Sequence, residues 1–120
     1  AASDVYKRQG VDGDRLAQAY ARLRVFVAHS DDAGLAAELD RLTAEFTSDA
    51  TSSVDLPALT GREHDVLALA ALGHSNARIA DQLGITVHTT KGYLKSAMRK
   101  LGATTRLEAV ITARRAGLMP

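Results

Sequence analysis

Apolar residues step along this chain by threes and fours, the spacing that collects them on one side of a helix. In the first half, Leu16, Tyr20, Leu23 and Val27 step by four, three and four, and Leu35, Leu39, Leu42 and Phe46 repeat the pattern. Each set is an a/d seam of about two heptads, and the polar stretch HSDDAG separates them. The spacing predicts two helices, about residues 14–29 and 33–46, joined as a hairpin or taking part in an intermolecular bundle. Neither is long enough to be stable in water without a surface to pack on. The stretch TSDATSSVDLPA that follows, residues 47–58, is rich in Ser, Thr and Asp and contains Pro57, a linker composition. Ahead of the hairpin, AASDVYKRQG has no periodicity. Residues 1–12 are expected to be a disordered remnant or tag and stay outside the fold reasoning.

Beyond the linker the helix signals sharpen. LTGREHDVLALAALGHS places Thr60 three residues before Glu63. This is the spacing of a capping box, in which the hydroxyl accepts from a first-turn amide and the carboxylate reaches back to the cap amide. Val66, Leu67, Ala70 and Ala71 form an apolar stripe, and Gly73 follows. A second helix is predicted from Ser75, with Ile79, Ala80 and Leu83 inward and Gly84 at its end. Only about three residues lead on to a third, which runs from Thr86 or Val87 to Leu101, and so short a connection makes the two cross steeply, as in a helix-turn-helix. On the third helix Thr90, Leu94, Ala97 and Leu101 share the apolar face, while His88, Lys91, Gly92, Lys95 and Arg99 share the opposite one. In the closing segment GATTRLEAVITARRAGLMP, Thr105 and Glu108 repeat the T-x-x-E spacing. Leu107, Val110 and Ile111 face one way there, and Arg114 and Arg115 fall in the last turn. This extra helix suggests a scaffold or dimerisation role.

Composition then narrows the classes. The chain is 46% hydrophobic and 4% aromatic with no Trp, so an aliphatic core is expected and wholesale disorder is not. The absence of cysteine removes disulfides, thiolate metal sites and cysteine nucleophiles, and fits a reducing cytoplasm. No apolar run approaches the roughly 20 residues of a membrane span, so no membrane role is expected. The net charge of +1 hides an asymmetry: residues 1–59 carry six Lys/Arg against ten Asp/Glu, and residues 60–120 carry nine against four. A basic half joined to an acidic carrier suits a polyanion. The outward face of the third helix holds three cations and no acid, so intrahelical Glu–Lys pairs do not account for them. The pattern points to double-stranded DNA, with this helix in the major groove. His29, His64, His74 and His88 form no HExxH, triad or ligand-spaced cluster, and there is no Gly-rich phosphate loop. Neither an enzyme nor a cofactor or metal is expected.

From Leu59 to Leu118 the chain resembles the LuxR/FixJ/NarL-type (GerE-like) DNA-binding domain. The landmarks are LTGRE, LGHSNARIADQLGITVHTTKGYL and RKLGATTRLEAV. The resemblance implies a four-helix helix-turn-helix domain at 59–120; with the short helical hairpin read at 13–47 and the linker at 48–58, the expected fold class is all-α. It implies that the helix at about 87–101 reads the major groove and that the last helix pairs two protomers. By position it implies base reading by Lys91, Lys95, Gly92 and His88. It implies backbone contacts by Ser75, Asn76, Arg78, Thr86, Thr89 and Arg99, dimer contacts by Leu107, Val110 and Ile111, and a structural role for Glu63. Gly92 stands where the family usually has a larger side chain, often Asn or Val, which costs roughly 0.5–1 kcal/mol relative to Ala in a helix interior and thins direct readout. Tyr93 stands where His is common.

The expected function is bacterial transcriptional regulation in the cytoplasm, as a homodimer on double-stranded DNA, with RNA polymerase as a further partner. Two other readings stay open, a sigma-factor-like helix-turn-helix contacting RNA polymerase and a protein-interaction adaptor without DNA binding. RVFVAHSDD also resembles the first strand and acidic pocket of a receiver domain, with Asp31 and Asp32 as Mg²⁺ ligands. A complete receiver needs several βα units, and the linker arrives after Phe46. A helix end with Ser30 starting the next helix is therefore the preferred reading.

Overall fold

The computed structural model describes residues 2–30, 32–47 and 58–120, with side chains at 15–30, 32–39, 41–42 and 58–120. These residues form six helices and no strand: α1 (Ala2–Ala28), α2 (Ala33–Thr47), α3 (Gly61–Ala71), α4 (Asn76–Leu83), α5 (Val87–Lys100) and α6 (Arg106–Arg115). The expected linker lies almost wholly outside the described residues, as does Asp31.

A hydroxyl sets the start of each of the last four helices. Ser and Thr are favoured there because their oxygen takes up an amide that the helix itself leaves unpaired. At α3 the box is reciprocal: Thr60 Oγ1 accepts from the Glu63 amide at 3.2 Å, and Glu63 Oε1 accepts from the Thr60 amide at 2.7 Å. Ser75 caps α4 and Thr86 caps α5 in the same way. At α6 the box expected from sequence is only half formed. Thr105 Oγ1 accepts from the Glu108 amide at 3.1 Å, but Glu108 Oε2 accepts from the amide and the hydroxyl of Thr104. Thr104 offers that one carboxylate oxygen two donors, where the cap residue would offer a single amide.

Gly84 ends α4 at φ 68°, a left-handed conformation that glycine adopts without penalty. The chain turns there and α5 begins at Val87. α4 and α5 pack on each other and on α3, and α6 closes the far side against α3 and α5. Val66, Leu67, Ile79 and Ala97 are fully buried at the centre. Leu83, Leu94, Leu101, Ala109, Val110, Ala113 and Met119 complete the core. Thr90 is also fully buried, and its hydroxyl donates to the Thr86 carbonyl, so the polar atom is satisfied in place.

The sequence stripe on α3 was too narrow. Ala68 and Leu69 are buried as well as Val66, Leu67 and Ala70. The reason is α1, which lies on the other side of α3 and brings Ala21 into the same core. A helix that is apolar all round is one covered on more than one face, and the run VLALAAL carried that signal.

α1 is tied down by a buried ion pair. Arg24 Nε donates to Asp65 Oδ1 at 2.6 Å, with both side chains almost inaccessible. The same guanidinium donates to the Tyr20 hydroxyl at 3.1 Å and to the Gly61 carbonyl at 3.2 Å. At the far end of the contact, His29 Nε2 lies 2.6 Å from the Gln82 carbonyl. The first helix therefore packs on the second half of the chain within one molecule, through Ala21, Arg24 and the half-buried Tyr20, Val25 and Ala28. Of the expected a/d seam, Val27 is buried and Tyr20 half-buried, while Leu16 and Leu23 remain exposed. In α2 Leu39 is buried and Leu35 and Leu42 are exposed, and the Phe46 side chain lies outside the described residues.

α1 also starts at Ala2, not near residue 14, so the stretch expected to be disordered is helical backbone. Once a helix is nucleated and docked, each added residue gains a hydrogen bond at little cost, and an apolar stripe is not required. The segment RVFVA lies inside α1 and is not a strand. Asp32, rather than Ser30, caps α2: its Oδ1 accepts from the amides of Gly34 and Leu35, while Ser30 Oγ accepts from the Asp32 amide. That bonding replaces the metal-ligand role considered for Asp32.

Candidate nucleic-acid interface

α5 has two faces of opposite character. Thr90, Leu94, Ala97 and Leu101 point into the core, and His88, Lys91, Gly92, Lys95 and Arg99 are all exposed. At a rise of 1.5 Å per residue, Lys91, Lys95 and Arg99 form a row about 12 Å long, which is about the width of a DNA major groove. No carboxylate among the described residues pairs with any of the three. Nothing lies within 4 Å of where a Cβ on Gly92 would stand. Packing does not require glycine there; its effect is to keep the helix surface low between Lys91 and Lys95. Tyr93 is half-buried against the core.

Lys100, the fourth cation of the segment, belongs elsewhere. Its Nζ donates to Glu63 Oε1 at 2.7 Å and to the Ala58 carbonyl at 3.3 Å. Glu63 thus joins the start of α3 to the end of α5 and holds the exposed row in place, the structural role expected of it. Burial alone would raise its pKa. The hydrogen bonds from Lys100, Ser96 and the Thr60 amide, with the Lys100 charge, outweigh burial and bring it down to about 2.

α4 packs on α5, and its start lies against the start of α6. Ser75 and Arg78 are exposed and Asn76 is half-buried. Arg106, at the start of α6, fixes this corner: it donates to the His74 carbonyl at 2.7 Å and to Asn76 Oδ1. The Asn76 oxygen is therefore engaged, and its amide nitrogen is what remains to donate outward. Sequence reasoning overlooked Arg106. A signal existed, since an arginine in the first turn of a helix opposes the positive end of the helix dipole and calls for a specific partner. At α5, Thr86 Oγ1 accepts from the Thr89 amide at 3.0 Å and donates to Thr89 Oγ1 at 2.8 Å. What this end offers an anion is the unpaired first-turn amides.

The expected dimer residues do not share one face. Val110 is buried in the core with Ala109 and Ala113, whereas Leu107 and Ile111 are 68% and 40% exposed. Leu107 and Ile111 are one helical turn apart, and Val110 lies on the inward side of the same turn. Only the first two are open to a partner.

A family model described as bacterial regulatory proteins, luxR family, matches residues 57–113. Those residues form a luxR-family domain. The same match covers α3, α4, α5 and most of α6, the part of the fold that carries the exposed cationic row. The chain is also 39% identical over 111 residues to the HTH-type transcriptional activator RamA of Corynebacterium glutamicum, covering 92% of this chain and 39% of RamA. It is 49% identical over 47 residues to the transcriptional regulatory protein MctR of Rhizobium johnstonii, covering 39% of this chain and 22% of MctR. With the nitrate/nitrite response regulator protein NarL of Escherichia coli it shares 40% identity over 62 residues, covering 52% of this chain and 29% of NarL. The chain spans about two-fifths or less of the length of these relatives. The RamA match is longer than the luxR-family domain and takes in much of the α1–α2 hairpin. No solved structure matches the chain significantly. The luxR family is one of regulatory proteins and not of enzymes, and no group of His, Asp or Glu among the described residues could hold a metal ion. No helix among the described residues is long and apolar enough to cross a membrane.

Proposed function

We propose that the chain binds double-stranded DNA with sequence preference, as the DNA-binding part of a bacterial transcriptional regulator, and that α5 enters the major groove. The observation that carries this reading is the exposed row Lys91, Lys95 and Arg99, free of carboxylate partners among the described residues, on a helix packed against α4. Lys91 and Lys95 read base edges, with His88 beside them and Gly92 admitting the groove floor. Arg99, Ser75, Asn76, Arg78, Thr86 and Thr89 meet the phosphate backbone, Thr86 and Thr89 at the first turn of α5, which Thr86 caps. Two copies pair through the exposed α6 edge of Leu107 and Ile111, which places two groove helices about one helical turn apart on an inverted repeat.

Selection of bound sites from random duplexes, followed by fluorescence anisotropy across salt, tests the reading. Each neutralised phosphate contributes about −0.9 to the slope of log K against log salt, so a steep negative slope is expected. Arg99→Ala should weaken binding on every sequence alike. A slope near zero would remove DNA as the partner and leave a protein-interaction adaptor. Sedimentation of the complex should find two protomers per full site, and one protomer on a site without twofold symmetry would overturn the dimer.

A further inference from the structure

Outside the luxR-family domain, α1 carries arginines whose situations differ. Arg24 is buried against Asp65. Arg22, two residues earlier, is exposed and has no hydrogen bond or ion pair among the described residues. It opens onto a cleft of about 430 Å³ between α1 and the α3–α4 corner, lined also by Gln18, His74, Arg78 and Gln82. Arg78 faces Arg22 across this cleft and has no side-chain partner either. No acidic side chain lines it. His74 Nδ1 is buried without a partner among the described residues. Burial, and then the Arg78 charge, lowers the His74 pKa.

The contrast with the other cations gives this cleft its meaning. Arg24, Arg41, Lys100, Arg106 and Arg114 each have a carboxylate, carbonyl or amide partner. The described cations without a partner are the groove row of α5, Arg22 and Arg78, and also Arg15 and Arg115, which lie outside this cleft; Arg22 and Arg78 stand apart by lining one cleft together. Two guanidinium groups that line one cleft can share an anion, and guanidinium is the group best shaped for phosphate oxygens. Arg78 sits in the first turn of α4, the end of that helix assigned above to the DNA backbone. An anion bound at that helix end on DNA would be a backbone phosphate.

We infer that the α1–α4 cleft is a second phosphate-binding site for the DNA backbone, in which Arg22 of the N-terminal hairpin joins Arg78. The inference rests on the DNA-binding reading above and extends the interface beyond residues 57–113. The hairpin then has a direct part in binding: anything that shifts α1 on α3 moves Arg22 and changes affinity without touching the base-reading residues.

The test uses the whole 120-residue chain and a duplex carrying its selected site. Arg22→Ala, at an exposed position, should make the salt slope shallower by about 0.9, the value of one phosphate contact, with the site preference unchanged. Arg41→Ala removes the same charge from α2, where Arg41 pairs with Glu38, and should leave the slope as it is. An Arg22→Ala slope equal to that of the wild type overturns the inference. So does an Arg41→Ala loss as large as that of Arg22→Ala, because the effect is then the overall field and not a contact. Inorganic phosphate separates the two sources of the anion. If it saturates the cleft, read from the Arg22 and Arg78 side-chain resonances, while Arg22→Ala leaves the DNA slope intact, the site takes a free anion and the backbone assignment is wrong. A wild type with no salt slope overturns both readings, whereas a steep wild-type slope matched by Arg22→Ala overturns only this one.

Discussion

Replacing Glu63 with Gln removes one charge at the point where α3 and α5 are pinned together. The side chain is 3% exposed, and its Oε1 accepts from both Lys100 Nζ and the Thr60 amide. Gln has the same shape and can still accept from the Thr60 amide, so the substitution isolates the charge. Burial opposes ionisation, but the hydrogen bonds from Lys100, Ser96 and Thr60 hold the carboxyl at about 2 against an ordinary 4.5. A carboxyl depressed in the folded state stabilises it fully above the unfolded value, near 4.5, and the contribution is lost as pH falls towards 2. The depression corresponds to roughly 3 kcal/mol at neutral pH. Urea unfolding followed by far-ultraviolet circular dichroism should therefore separate wild type and Glu63→Gln by that order at about pH 7. The gap should narrow below about pH 4.5 and close near pH 2. A gap of unchanged size down to about pH 3 would refute the reasoning, because the stability would then come from shape and not from the ionised group.

Three further outcomes follow from the same contacts. Arg24→Ala should cost about 3 kcal/mol or more in thermal or urea unfolding, because Asp65 is left charged and buried; Arg62 Nη1, 3.9 Å from Asp65 Oδ2, offsets part of this. Gly92→Ala should stabilise the fold by roughly 0.5–1 kcal/mol in urea unfolding, since the position is helical and open; an unchanged or lower stability would show that the glycine is required there. Lys95→Ala should relax base preference at particular positions of the selected site, a loss on the order of 1–3 kcal/mol of discrimination there, and an unchanged site preference with uniformly lower affinity would make Lys95 a phosphate contact.

The helices of the luxR-family domain were legible because local chemistry announces them. Thr60, Ser75, Thr86 and Thr105 each sit just ahead of an apolar period, and each is the cap found. The two faces of α5 were legible for the same reason: a helix half in the core must sort its residues by period, and Thr90, Leu94, Ala97 and Leu101 do so. Contacts between distant segments left no such trace. The Arg24–Asp65 pair joins positions 41 residues apart, and of the spacing Leu16, Tyr20, Leu23 and Val27 only Tyr20 and Val27 are covered within this chain, Leu16 and Leu23 being exposed. The docking stripe of α1 runs through Ala21 and Ala28, small residues that allow close approach to the core but add little to a hydrophobic pattern. On α6 a period of three and four placed Val110 with Leu107 and Ile111, although the three fall on either side of the boundary between core and solvent. Periodicity locates a stripe without saying where its edge lies.

Guanine N7 methylation interference on the selected duplex tests the placement of α5 most directly, since N7 lies on the floor of the major groove. Methyl groups should block binding in two major-groove segments about one helical turn apart, and Lys91→Ala or Lys95→Ala should abolish the interference at particular guanines. Binding indifferent to N7 methylation throughout a guanine-containing site would contradict the account and take α5 out of the major groove.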